Sequence, residues 1–155
     1  MRRERERDAA ALFAEVLRTL KLYLDLSHES YGRGEPFGSI TLRMLRSARR
    51  ELDIYDRNRE TLFLLRHGPL RFETLALMGR LTFALDRVLE HTDSLAGDLS
   101  NEVRAELIDG RQQAYSFLTE CAAQMPDLVE RLSTLGKIES PPMDTRAALG
   151  PSPPA

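Results

Sequence analysis

Residues 67–90, HGPLRFETLALMGRLTFALDRVLE, decide the architecture. His67-Gly68-Pro69 supplies a stop and a restart: Gly68 suits the end of one helix, and Pro69 the first position of the next, where its missing N–H costs nothing. Beyond it, Phe72, Leu75, Met78, Leu81, Leu85, Val88 and Leu89 follow one another at mostly three- and four-residue steps, with few charges between Glu73 and Asp86. That spacing stacks side chains along a helix and excludes strand alternation, so the segment is expected to be the central rod of a bundle.

The flanking segments follow the same rule. From Arg5 to Leu26, the residues Leu12, Phe13, Val16, Leu17, Leu20, Tyr23 and Leu24 share a helical stripe, which Leu22 and Leu26 widen. A stripe this wide predicts more than one neighbour. Arg2 to Asp8 is expected to fray or to extend the helix into solvent. Ser30 to Gly38, with three glycines and Pro36, reads as a loop, and Ser39 as the cap of the next helix. Ile40 to Leu65 carries Leu45, Ala48, Leu52, Tyr55 and Leu62 in a helical rhythm, as one helix or as two pieces broken at Asn58. Asp93 or Ser94 is expected to cap a further helix through Leu99, Val103, Leu107, Gly110, Ala114, Phe117 or Leu118 and Cys121. Gly110 weakens it by about 1 kcal/mol relative to alanine unless close packing needs the absent side chain. Met125-Pro126 ends that rod, and Asp127 opens a shorter helix up to Gly136.

Five of the eight prolines, at 141, 142, 151, 153 and 154, fall beyond it. A piece so poor in large apolar groups cannot repay its ordering entropy, so residues 137–155 are expected to form a disordered tail. The whole reads as an all-α, antiparallel up-and-down bundle of four to five helices over residues 1–136.

Composition narrows the function classes. At 155 residues the chain fits one domain with a real core, and a net charge of −2 offers no global field for nucleic acid or acidic lipid. Only Lys21 and Lys137 are lysines among 22 basic residues, which fits a coding bias better than a binding device. Cys121 stands alone, so no intramolecular disulfide forms and a cytoplasmic location is expected. Met1 to Asp8 mixes acids with bases, and Glu15 and Arg18 interrupt the stretch that follows, so no secretory signal is read. Arg80, Asp86 and Arg87 break even the most apolar segment, short of the roughly 20 apolar residues that a membrane span needs.

Catalytic constellations are not expected. Leu26-Ser27-His28-Glu29, with Pro36 downstream, resembles the phosphoacceptor box of sensor histidine kinases, but Gly32 and Gly34 place a loop where that family has a continuous helix, and Ser30-Tyr31 replace its usual Leu-Arg. Asp25 and His28, one turn apart, offer half a metal site; His67 and His91, near expected helix ends, have no acid three residues earlier. No metal or cofactor is therefore anticipated. Cys121 falls on an apolar face, where a thiol behaves as a small hydrophobe. Gly32-Arg33-Gly34 lacks the lysine and the strand of a phosphate loop. Arg46, Arg49, Arg50 and Arg57 line a stripe suited to anions, within a basic run from Arg43 to Arg59. Glu51, Asp53 and Asp56 interleave with it and allow pairs such as Arg49 with Asp53 or Asp53 with Arg57, so a solvated, salt-bridged face is expected.

Ala11-Leu12-Phe13-Ala14-Glu15-Val16, then Ile54-Tyr55-Asp56-Arg57-Asn58, Leu64-Leu65 and Pro69 before an apolar helix, resemble small helical proteins of proteobacteria with no assigned function. Many of those carry a membrane anchor ahead of the first string, which is not read here. The resemblance implies a bacterial helical domain that works near a membrane or a partner. The leading expectation is a non-enzymatic interaction module, regulatory, adaptor or self-associating, that binds a protein partner or a second copy through Val16, Leu20, Leu22, Tyr23, Leu24 and Leu26. A sensor with a cavity lined by Phe72, Met78, Phe83 and Phe117 is one alternative. Nucleic-acid binding through the arginine stripe is another, disfavoured by its acids.

Overall fold

The computed structural model describes residues 2–136; the expected tail lies outside the described residues. Five α-helices, α1 (Arg2–Arg33), α2 (Ser39–Arg57), α3 (Gly68–Leu95), α4 (Asn101–Ala122) and α5 (Met125–Gly136), are joined by short connections, with a 3₁₀ helix at Arg59–Leu64 between α2 and α3. Among the described residues there is no strand.

Pairings across the bundle give each rod its direction. The Thr41 hydroxyl donates to Ser30 at 3.0 Å, while the Phe13 and Tyr55 rings meet edge-on at 6.0 Å, so α2 descends along α1. Arg49 reaches Asp86 at 2.6 Å, so α3 climbs beside α2. Arg104 donates to the Leu95 carbonyl at 3.2 Å and Arg80 to Gln124 at 2.9 Å, so α4 descends along α3. Helix α5 continues downward, with Arg131 on Glu73 and Arg18 donating to the Ser133 hydroxyl at 2.8 Å. The bundle therefore has four rods, up, down, up and down, the last broken where Pro126 cannot bond back into α4.

The core runs along α1 and α3. Phe13, Leu17, Leu20, Leu45, Leu52, Leu77, Met78, Leu81 and Leu85 are fully buried, each removing apolar surface worth about 1.5–3 kcal/mol. Small residues let α1 approach α5: a Cβ on Gly136 would stand 3.1 Å from the Ala11 nitrogen and 3.2 Å from the Arg7 carbonyl. Of the two outcomes expected for Arg2 to Asp8, the stretch takes the second: it extends α1, with Arg3, Glu4, Arg5 and Asp8 exposed and Ala9 and Ala10 buried behind it. Glu6 adds an acceptor for the Arg66 N–H at 3.1 Å.

Other boundaries shift for local reasons. Helix α1 runs past Leu26 to Arg33, held by Arg33 on Glu29 at 2.6 Å and by the Tyr31 ring stacked on Tyr115 at 4.2 Å. Ser39 is the first residue of α2 rather than its cap; Gly38 holds the cap position with no side-chain bond. Helix α2 does end at Arg57, where Asn58 donates its amide to the Ile54 carbonyl at 2.8 Å. Gly68 opens α3 instead of closing the preceding helix, and His67 is the cap, its Nδ1 accepting from the Leu70 N–H at 3.1 Å. Asp93 and Ser94 lie in the last turn of α3, and the hydroxyl of Ser100 caps α4, accepting from the Val103 N–H at 3.3 Å.

Candidate functional site

The residues expected to form an interaction face on α1 divide between core and surface. Val16, Leu20 and Leu24 are buried and Tyr23 is half-buried, which leaves only Leu22 and Leu26 exposed. The widened stripe is consumed by α2 on one side and α5 on the other. The expected apolar cavity is divided too: Met78 is buried and Phe117 half-buried, while Phe72 and Phe83 point outward. Leu77, Met78, Leu81, Ala84, Leu85 and Val88 already fill the inward face of α3.

The arginine stripe is largely internally engaged. Arg49 bridges Asp86 at 2.6 Å and Asp53 at 3.1 Å, Arg46 reaches Asp93 at 4.0 Å, and Arg50 donates to the Ser47 hydroxyl at 3.0 Å. Arg57 turns to the backbone carbonyl of Asp53 at 3.3 Å rather than to its carboxylate. Burial opposes the charge on Arg49, yet the hydrogen bond and charge of Asp86 outweigh it and hold that guanidinium's pKa above its ordinary value.

Asp25 is committed to Lys21 at 2.7 Å, and exposed His28 stands 3.5 Å from the Tyr115 hydroxyl. Among the described residues, no three His, Cys, Asp or Glu side chains converge as a metal site would require. His91 lies about one turn before the end of α3. It lies across Gly110 of α4, where a Cβ would come within 2.6 Å of its ring, so the absent side chain is needed for packing. Cys121 is 1% exposed, and burial pushes its thiol up.

Two arrangements escaped the sequence reading. Tyr31, Phe37, Tyr115 and Arg111 form one cluster: Phe37 meets the two tyrosine rings edge-on at 5.4 and 5.5 Å, and the Arg111 guanidinium lies 4.1 Å from the Phe37 centroid. Burial makes Arg111 easier to deprotonate than an ordinary arginine. The cluster clamps the α1–α2 connection onto α4.

The second is the outer face of α3. Phe72 and Phe83, eleven residues apart, lie close to three turns apart and opposite the core. They are 69% and 59% exposed, and Phe63 of the neighbouring 3₁₀ helix is 75% exposed. Leu75 and Leu64 extend the patch. Between Leu75 and Phe83, Gly79 presents bare backbone, and a Cβ there would stand in open space with nothing within 4 Å. A groove of about 280 Å³ separates α3 from the 3₁₀ helix, lined by Leu62, Phe63, Phe72 and Leu75 with Arg59 and Arg71 at its rim. Arg71 lies 6.0 Å from the Phe63 centroid and Arg87 5.8 Å from that of Phe83. Neither arginine meets a carboxylate among the described residues. The signal for this face was present in residues 70–85, where large apolar residues fall on the outer side of the helix as well as the inner one.

A larger cleft of about 790 Å³ lies at the lower end, but Arg3, Arg7, His67 and Arg131 alternate there with Glu6, Asp127 and Glu130 around Leu70 and Leu135. It favours no single ligand charge. Comparison with protein families, with curated proteins and with solved structures returned no match. Among the described residues, no helix is long and apolar enough to cross a membrane.

Proposed function

We propose that this chain is a non-enzymatic helical interaction module whose working surface is the outer face of α3 together with the 3₁₀ helix. The supporting observation is the run of Phe72, Leu75 and Phe83, exposed on a helix whose opposite face is packed, with Phe63 of the 3₁₀ helix exposed beside them. Monomeric proteins rarely keep contiguous apolar surface of this kind without a partner to cover it. Leaving each phenylalanine in water forfeits about 1.5–3 kcal/mol that burial would return. Helix packing across a groove is the mechanism, in a regulatory, adaptor or self-associating role. The lone, buried Cys121 suits a reducing cytoplasm as the place of work.

Photo-crosslinking in cells tests the reading. Phe72 and Phe83, replaced singly by benzoylphenylalanine, should each give a discrete adduct, whereas Ser116, exposed on α4, should give background only. Equal background from all three positions would remove the assignment.

A further inference from the structure

Resting on that docking surface, the geometry points to a second copy of this chain as the occupant, laid antiparallel along α3 about a two-fold axis at the level of Arg80. A two-fold contact must be self-complementary, and this face is so in both charge and shape with one and the same axis.

Charge sets the register first. Glu73 and Arg87 lie seven residues below and above Arg80, about 10 Å each way, on the same flank of the helix. Rotation about the axis brings each Glu73 against the partner's Arg87, twice over. Glu73 already receives Arg131 from within its own chain, and a carboxylate has lone pairs for both. The same rotation carries the partner's Glu90 to the level of Arg71, at the rim of the groove beside Phe63 and Phe72. The lower half of the face thus offers Arg59 and Arg71, and the upper half offers Glu90. Reversing one copy on the other matches them.

Shape sets the register again. Phe83 stands about 4–5 Å above Arg80, so its image falls the same distance below, between Ala76 and Gly79. There the helix carries only the small side chain of Ala76 and the bare backbone of Gly79, with open space beside it. Each copy therefore presents one ring and receives one, as knobs enter holes in paired helices. Arg80 faces its own image near the axis, but its guanidinium is drawn aside to Gln124 at 2.9 Å. A lipid surface or an unrelated helix would need no such inversion of charge and relief about one point.

Sedimentation equilibrium on the full chain, from about 1 to 100 µM, should show a monomer and dimer in exchange. Gly79→Cys, whose side chain enters open space, should form an inter-chain disulfide on mild oxidation. Phe72→Cys, about 12 Å from the axis, should not. Glu73→Arg and Arg87→Glu should each weaken the dimer by about tenfold, and the double exchange should restore it to within about threefold. All four positions are exposed, and circular dichroism will confirm that each variant is folded. A chain that stays monomeric at about 100 µM overturns the proposal. So does cross-linking at Phe72→Cys as fast as at Gly79→Cys, or a double exchange without rescue. A monomer that still gives a discrete photo-adduct with another protein at Phe72 removes the second copy and leaves the docking face standing; a monomer silent in that assay removes both.

Discussion

Helices α1 and α3 look alike in sequence and differ in what they leave uncovered. Both carry apolar residues over more of their circumference than a one-sided surface helix needs. In α1 the excess is absorbed: Phe13, Leu17, Leu20 and Leu24 are buried, and Ala9, Ala10 and Ala14 let neighbouring backbones come close. In α3 the inward arc is just as well packed, against α2, α4 and α5, yet Phe72 and Phe83 remain bare on the opposite side. The width of an apolar stripe thus counts the neighbours a helix wants, and the fold decides how many of them belong to the same chain. Where the count falls short, surface is left for something else.

Truncations on the two helices should separate these cases by the largest margin. Leu20→Ala, in the packed stripe of α1, should cost about 3 kcal/mol, from lost burial plus the cavity left behind. Phe72→Ser should change stability by no more than about 0.5 kcal/mol, because its ring is already in water in the single chain. Urea unfolding at concentrations too low for association measures both. Comparable losses would mean that the outer face of α3 belongs to the core, and the contrast would collapse.

The rods themselves were legible because core-facing residues recur every three or four positions, a pattern that local sequence carries in full. Where they end was not. Tyr31 and Gly32 read as loop, but the last turns of α1 are held by Tyr115, which is 84 residues from Tyr31 in the chain, and no local rule contains that contact. His67 was read as a terminal residue, yet its ring nitrogen substitutes for the usual serine or aspartate cap. The bare face of α3 was hidden for another reason. Phe72 and Phe83 were visible as large apolar residues on the central helix, but periodicity cannot say which side of an apolar cylinder is covered. Val16, Leu20 and Leu24 were misplaced by the same ambiguity in reverse.

Two glycines sharpen the inside-outside contrast with effects of opposite sign. Gly79, on the bare face, has room for a methyl group, so Gly79→Ala should stabilise the single chain by up to about 1 kcal/mol through helix propensity. Gly110 faces inward beneath His91, whose ring atoms would stand 2.6 and 3.0 Å from a new Cβ. There the propensity gain is outweighed by overpacking, for a net loss of about 1 kcal/mol. Adding His91→Ala to Gly110→Ala should recover that loss, a coupling that thermal unfolding of the four-member cycle reads directly. Simple additivity would show that the ring does not rest on the glycine.

Caps give the next step down. His67→Ala removes the acceptor for the Leu70 N–H and should cost about 1 kcal/mol, whereas Ser39→Ala, at a position that makes no cap bond, should be nearly neutral. Denaturant midpoints decide it; equal losses would place the start of α2 under a side chain that the structure leaves free.

The smallest effect tests how α3 is tied to α2 on its packed side. Arg49 is the one member of the arginine stripe that reaches a carboxylate of α3 at hydrogen-bond distance, 2.6 Å from Asp86, and it is partly shielded from solvent. Arg57 bonds only to its own helix backbone. Arg49→Ala should therefore cost about 0.5–1 kcal/mol, at the upper end for ion pairs that remain largely in water, and Arg57→Ala close to nothing. Raising ionic strength from about 0.05 to 0.5 M should shrink the Arg49 effect, because added ions screen an exposed pair. If instead the loss at Arg49 were insensitive to salt, its work would be packing, with the three methylenes of its side chain covering the α2–α3 seam, and the stripe would serve as a hydrophobic edge rather than a charged one.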